Sequence, residues 1–150
     1  MTLTEKISDL LMLHQPGTDA AVLASFAADN GLGGLILMGD NVPAAPGALK
    51  TMTGALNADA ALPLVLGIDQ EGGEVDRLRN DEAPGAAAGR AQPEQATEDA
   101  FRSRAALLQS GRVSVNFGIV ADVTDDPNSL AQRSKENPWI RNNPGSYAIA

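Results

Sequence analysis

The chain has 150 residues, of which 43% are hydrophobic and 20% are charged, so its composition predicts one globular domain with a sizeable core. Its formal net charge of −8 argues against binding to nucleic acid or to an anionic membrane surface, because both are themselves negatively charged. The lack of cysteine excludes disulfides, thiolate nucleophiles and cysteine–zinc sites, and no apolar run reaches the length of a membrane-spanning helix.

The first part of the chain shows helix signals on both sides of a break. A short helix is predicted over residues 4–11, with Thr4 as its N-cap, and residues 10–13 fit either its last turn or a first strand. A second helix is predicted over residues 19–30, with Gly31 as its stop. The apolar face of this second helix is predicted to contain Val22, Leu23 and Phe26.

Further elements follow in alternation. Strands are predicted at 34–38, 64–68 and 113–120, and helices at 46–57 and 94–110. The last helix carries apolar side chains at Ala100, Ala105, Leu107 and Leu108. A strand–helix pattern repeated about four times predicts an α/β fold with a mostly parallel sheet and crossover connections.

The most informative segment is the strand at 64–68 and the polar residues that follow it. The apolar run ends in Asp69-Gln70-Glu71-Gly72-Gly73, and Arg77 and Arg79 come shortly after. Polar groups at one strand end are typical of a site at the carboxyl edge of a parallel sheet. The glycine pair is predicted to supply positive φ angles or a close backbone approach.

Several ordered motifs resemble the N-terminal part of the catalytic barrel of glycoside hydrolase family 3, especially its bacterial β-N-acetylhexosaminidase branch. The resemblance covers about residues 5–134. The matching segments are 6–12, 33–37 with Asn41, 69–73 with Val75, Arg77 and Arg79, 115–123, and 133–134. The resemblance implies the N-terminal half of a (β/α)8 barrel of the TIM type, with about four β/α units, acting on β-linked sugars.

By this resemblance, Asp69, Arg77 and Arg133 contact the bound sugar, and neither a metal nor a cofactor is implied. These roles suit the chemistry, because a carboxylate accepts charge-assisted hydrogen bonds from hydroxyls and a guanidinium donates two in a fixed plane. Two alternatives stay open from the residues alone. Asp69 could cap the turn that follows it, and Arg77 could pair with Glu74 or Asp81 at the surface.

The family's catalytic groups are not found in this sequence. Glycoside hydrolysis usually needs two acidic groups flanking the bond. In the family, the nucleophilic aspartate lies in the second half of the barrel, and the acid/base is a histidine paired with an aspartate in another loop. The only histidine here is His14, which lies in the break after residues 10–13 and not in the expected segment. Residues 1–150 are therefore interpreted as a single partial domain, truncated at its C-terminus and inactive alone.

This interpretation has consequences for partners and location. Half a barrel exposes strand edges and an apolar face, so self-association or pairing with a complementary C-terminal fragment is expected, alongside a carbohydrate ligand. The first residues do not form a signal peptide. A cytoplasmic location is favoured for the chain as it stands, and an exported one if a leader has been removed.

Two other hypotheses on the function of the chain are compatible with the sequence. The half-barrel could be a sugar-binding or scaffolding protein without chemistry, or the chain could be a flavodoxin-like domain with an unrelated ligand. The sequence also departs from the family, since Glu74 and Asp40 stand where the family usually has arginine. These two changes leave the identity of the bound sugar open.

Overall fold

The computed structural model describes residues 1–58, 62–73, 75–85 and 93–119. Within them, helices and strands alternate. The elements in chain order are α1 (Leu3–Ser8), β1 (Met12–Leu13), α2 (Ala20–Asn30), β2 (Gly34–Leu37), a 3-10 helix (Gly39–Asn41), α3 (Ala48–Leu56), β3 (Val65–Ile68), α4 (Glu94–Ser110) and β4 (Val115–Asn116). All neighbouring strands pair in parallel in one four-stranded sheet, which confirms the predicted α/β class.

The order of the strands distinguishes between two of the predicted architectures. The sheet runs β1-β2-β3-β4, in the same order as the sequence. A flavodoxin-like sheet reverses its strand order at a switch point, whereas consecutive strands are adjacent in a (β/α)8 barrel. Among the described residues, the sheet has no such reversal and follows the barrel order.

By its internal contacts, the chain divides into two compact units. The first comprises residues 1–69 and 108–116, and the second comprises residues 70–107 and 117–150. The whole described sheet belongs to the first unit. The described part of the second unit contains most of α4 and the loop that follows β3. Arg133 lies outside the described residues.

Local signals define the first two helices. Thr2 and Glu5 form a reciprocal capping box at the start of α1, so the N-cap is Thr2, two residues before the predicted Thr4. At α2, the Asp19 carboxylate accepts hydrogen bonds from the first backbone N–H groups. Gly31 ends that helix in the left-handed conformation, with φ of 63°, as its position predicted.

The core of the first unit lies between one face of the sheet and the helices. Its most buried side chains, each less than 2% exposed, include Leu23, Leu35, Leu37, Leu66 and Ile68. Burial of each such side chain contributes about 1.5–3 kcal/mol to folding. Four of the five come from β2 and β3, the two central strands. The burial of β3 on this face places Asp69, the residue that follows it, next to the core.

The strands are shorter than predicted, because other hydrogen bonds take over at their ends. The Met38 N–H is bonded to the Asn41 side chain, so β2 ends at Leu37. The Leu64 N–H is bonded to the Asn57 side chain, so β3 begins at Val65. In the described part of the predicted strand at 113–120, which ends at residue 119, residues 115–116 pair with β3, at the end of that strand.

The predicted apolar face of α2 was partly wrong, and burial in α4 does not follow its apolar residues. In α2, Val22 is 51% exposed, and the buried positions are Leu23 and Ala27. In α4, Ala105 is exposed, whereas Arg104 and Leu108 are buried. A pattern of apolar residues cannot reveal a buried arginine, because its burial depends on a partner elsewhere in the chain.

Candidate functional site

In the first unit, the carboxyl ends of the strands carry polar side chains. Asp69 follows β3 directly and is half-buried, so it is not sealed in the core. His14 follows β1, and Asp40 lies in the 3-10 helix after β2. Since the strands are parallel, these residues belong to the same edge of the sheet.

His14 and Asp40 form a contact across this edge. The His14 Nε2 atom lies 3.1 Å from the Asp40 Oδ1 atom, and the side chains are 30% and 47% exposed. Asp40 is one of the two positions at which the family resemblance led us to expect an arginine. In this chain the aspartate has a histidine as its partner, and the two link the segments after β1 and β2.

Asn41 also connects the segments that follow β1 and β2. It is 1% exposed, and its Nδ2 group donates to the carbonyl oxygens of Gln15 at 2.8 Å and Gly17 at 2.6 Å. Its Oδ1 atom accepts from the Met38 N–H at 2.9 Å. A buried amide with these partners fixes the loop after β1 against the end of β2.

In the second unit, Gln70 organises the loop that follows β3. Its side chain is fully buried, at 0% exposure. The Oε1 atom accepts hydrogen bonds from the backbone N–H groups of Arg77 and Leu78, at 2.8 and 3.0 Å. The Nε2 group donates to Asp76 Oδ1 at 2.7 Å and to Asp81 Oδ2 at 2.8 Å. The loop therefore wraps around one amide group.

Asp81 connects this loop to α4. Its Oδ2 atom lies 2.5 Å from Arg104 Nε, and the two side chains are 2% and 3% exposed. Arg104 Nη2 also donates to the carbonyl oxygens of Ala83 and Pro84, at 3.3 and 3.2 Å. The guanidinium lies 5.7 Å from the centre of the Phe101 ring, within the range of a cation–π contact.

The environment of Asp81 lowers the pKa of its carboxyl group. Burial alone raises that pKa, but hydrogen bonds from Gln70, from Arg104 and from the Ala83 N–H, together with the Arg104 charge, outweigh burial and lower it. The carboxylate is thus held ionised within the protein. A group in this state is suited to structure rather than to donating a proton.

The glycine pair adopts the predicted backbone conformation. Gly72 and Gly73 both have φ of 76°. A Cβ atom on Gly72 would collide with the guanidinium of Arg104 and would lie 3.2 Å from the Cα atom of Gly85. On Gly118, a Cβ atom would overlap the backbone at Gln70. Gly72 and Gly118 are thus required by close approaches to their neighbours.

The predicted sugar-contacting residues fall in different parts of the structure. Asp69 belongs to the first unit, and Arg77, which is half-buried, belongs to the second. Asp81 is buried against Arg104, so it is not the surface partner predicted as one alternative for Arg77. Glu74, the other predicted partner, lies outside the described residues. Arg79 is exposed and has a positive φ of 28°.

Gln70 and Arg104 were missed by reasoning from the sequence. The signal for Gln70 was its place inside the polar motif, although nothing there predicts that the loop surrounds it. The signal for Arg104 was its spacing from Phe101 and Leu108, which places the three on one side of the helix. Both residues matter because they organise the loop that carries Arg77.

Two kinds of feature are absent from the described residues. No helix in that part of the chain is both long and apolar enough to cross a membrane. Over the same residues, no group of three or more histidine, cysteine or acidic side chains is placed to hold a metal ion.

Comparisons with known proteins agree with this architecture. The model of the glycosyl hydrolase family 3 N terminal domain matches residues 2–149. A curated relative, the β-hexosaminidase A of Pseudoalteromonas piscicida, is 33% identical over 124 residues, which is 73% of this chain and 21% of that protein. The chain therefore spans about a fifth of this relative.

Solved structures show the same fold. A glycoside hydrolase family 3 β-N-acetylglucosaminidase from Paenibacillus sp. str. FPU-7 is similar with a TM-score of 0.76 and 29% identity, over 87% of this chain and 26% of that one. NagZ from Neisseria gonorrhoeae, in complex with N-trifluoroacetyl-D-glucosamine, has a TM-score of 0.64 and 22% identity, over 75% of this chain and 36% of that one. At that identity, the second likeness shows the fold alone.

Proposed function

Because the chain belongs to glycoside hydrolase family 3, we propose that it supplies the sugar-binding wall of an enzyme that hydrolyses β-linked N-acetylglucosaminides. The observation that carries the proposal is the placement of Asp69 at the carboxyl end of β3, half-buried. The family match and two relatives, a β-hexosaminidase and a β-N-acetylglucosaminidase, support the choice of sugar.

The proposed roles of the side chains follow from their chemistry. Asp69 accepts hydrogen bonds from two sugar hydroxyls, and Arg77 and Arg133 donate to sugar oxygens. A hydrogen bond to a charged group contributes about 1.5–3 kcal/mol, so one carboxylate that holds two hydroxyls can dominate the affinity for a monosaccharide. Hydrolysis with retention further requires a nucleophile and an acid/base, which we expect outside this chain.

Sugar binding by the chain itself tests the site. Saturation-transfer NMR with N-acetylglucosamine is expected to show binding by the unchanged chain. Asp69→Asn is expected to weaken the affinity by about 10- to 100-fold, since each 1.4 kcal/mol is a factor of ten. Asp29→Asn is the matched control, because Asp29 is an exposed acid in α2. Equal binding by Asp69→Asn and the unchanged chain would remove the assignment of Asp69.

An enzyme assay tests whether the chain alone lacks hydrolytic activity. With a chromogenic N-acetyl-β-glucosaminide, the chain alone is expected to show no hydrolysis above the rate in buffer, since the family's nucleophile and acid/base motifs do not occur in it. Hydrolysis that rises in proportion to the concentration of the chain would contradict this part of the proposal.

A second candidate function is a sugar-binding or scaffolding half-barrel without chemistry. It is favoured by the side of the sheet that carries Val65 and Val115, which are 42% and 37% exposed and share one face by their register. We propose that this face associates with a second copy or with a complementary fragment. Light scattering is expected to show an oligomer, and a monomer at high concentration would contradict the proposed association.

A further inference from the structure

We propose that Gln70 is a positioning residue for sugar binding, which acts by fixing the backbone at Arg77. This inference rests on the proposed function, because it assumes that Arg77 donates to the sugar. It concerns a side chain that is fully buried and that acts on the ligand only through another residue. Asp76, Arg77, Leu78 and Asp81, which its side chain contacts, lie in the second unit.

The first step concerns the two backbone amides. Gln70 Oε1 accepts from the N–H groups of both Arg77 and Leu78, so the peptide groups on either side of the Arg77 Cα atom are held by the same oxygen. The side chain of Leu78 is 4% exposed, which anchors the next residue as well. The base of the Arg77 side chain is thus fixed on both sides.

The second step explains why an amide is needed at position 70. Asp76 and Asp81 are acceptors, and both take a hydrogen bond from Gln70 Nε2. The two N–H groups of the loop are donors and need the Oε1 atom. Only an uncharged side chain with a donor and an acceptor satisfies all four partners. A carboxylate at this position would meet two other carboxylates.

The third step links the amide to a rigid element. Asp81 accepts from both Gln70 and Arg104, and Arg104 is a buried residue of α4, a helix of 17 residues. The Arg77 backbone is therefore connected to a helix, through Gln70, Asp81 and Arg104. A site held in this way loses less conformational entropy when it binds its ligand.

The experiment combines backbone protection with affinity. Gln70→Leu removes the acceptor, and amide hydrogen exchange at Arg77 and Leu78 is expected to accelerate by about tenfold or more, the factor for 1.4 kcal/mol. The affinity for N-acetylglucosamine, measured by NMR titration, is expected to fall by about tenfold on the same scale. Gln95→Leu is the matched control, because Gln95 makes its hydrogen bond to Asp99 at the surface.

A double-mutant cycle separates positioning from a general structural role. In an Arg77→Ala background, Gln70→Leu is expected to have no further effect on affinity, since Gln70 acts through the Arg77 side chain. An equal loss of affinity in both backgrounds overturns the inference, and so does unchanged amide protection. Circular dichroism establishes that each variant is folded before its affinity is compared.

A second variant covers the case in which Gln70→Leu does not fold. Gln70→Glu keeps the acceptor but repels Asp76 and Asp81, so affinity is expected to be low at pH 7. It is expected to recover toward that of the unchanged chain at the same pH near pH 4, because the introduced carboxyl group then takes up a proton and can donate to one of the two aspartates. A loss that persists at both pH values overturns the inference. Failure of the unchanged chain to bind the sugar contradicts the proposed function instead, and hydrogen exchange then decides the positioning role.

Discussion

Asp81 and Arg104 form a buried ion pair in which the Oδ2 and Nε atoms are 2.5 Å apart. One partner comes from the loop after β3 and the other from α4. Burial of two charges is costly unless both are paired and hydrogen-bonded, and here Gln70 and backbone groups provide those bonds. The pair thus connects the loop after β3 to α4.

Loss of the arginine of this pair is expected to destabilise the chain strongly. Arg104→Met leaves the Asp81 carboxylate buried without its cation, which costs about 3–5 kcal/mol of unfolding free energy. Arg102→Met is the matched control, because Arg102 pairs with Glu98 at the surface and such pairs contribute about 0–1 kcal/mol. Urea denaturation measures both values. Equal losses in the two variants would show that the buried pair contributes nothing special.

The lowered pKa of Asp81 predicts how stability depends on pH. A carboxyl group whose folded pKa is below its ordinary value of 3.8 stabilises the fold above that value. The contribution is lost as the pH falls through the folded pKa. The difference in unfolding free energy between the unchanged chain and Asp81→Asn is therefore expected to be largest near neutral pH and to shrink only below about 3.8.

This pH dependence can be measured as a series of urea titrations. The other acidic groups are common to both proteins, so their titration largely cancels in the difference. A difference that already shrinks between about pH 6 and pH 4.5 would mean that the pKa of Asp81 is raised, which contradicts the assignment.

Asn41 is expected to be important for stability although it is neither charged nor apolar. Asn41→Ala removes the donors to Gln15 and Gly17 and the acceptor for Met38. Each buried group left unsatisfied costs about 1–3 kcal/mol, so a total loss above about 2 kcal/mol is expected. Asn30→Ala, at an exposed position, should change stability by less than about 0.5 kcal/mol. Thermal unfolding of the two variants at equal pH gives the comparison.

Alanine at Gly72 or at Gly73 is expected to cause the same backbone strain, but the space available to the new Cβ atom differs between the two positions. Gly72 and Gly73 have the same φ of 76°, so alanine at either position costs about 1–2 kcal/mol of backbone strain. Gly72→Ala also displaces the guanidinium of Arg104, whereas the nearest atom of the described residues to a Cβ atom on Gly73 is the Gly85 Cα atom, at 3.9 Å. We expect Gly72→Ala to be less stable than Gly73→Ala by about 1–3 kcal/mol, measured in urea. Equal stabilities would refute the close approach.

Features set by neighbouring residues could be predicted from the sequence. The bounds of α4, the end of α2 at Gly31 and the positive φ of Gly72 follow from caps, periodicity and glycine chemistry. Each depends on groups a few residues apart. The family resemblance at 69–73 likewise needed no coordinates, and the family match confirms it.

The tertiary structure decided three further features. These are the burial of Gln70 and Arg104, the ends of the strands, and the pairing of His14 with Asp40. These features depend on groups far apart in the sequence. Arg104 and Asp81 are 23 residues apart, and His14 and Asp40 are 26 apart. A polar side chain is buried only where distant partners satisfy its hydrogen bonds, and one sequence read along its length does not show which partners the fold brings together.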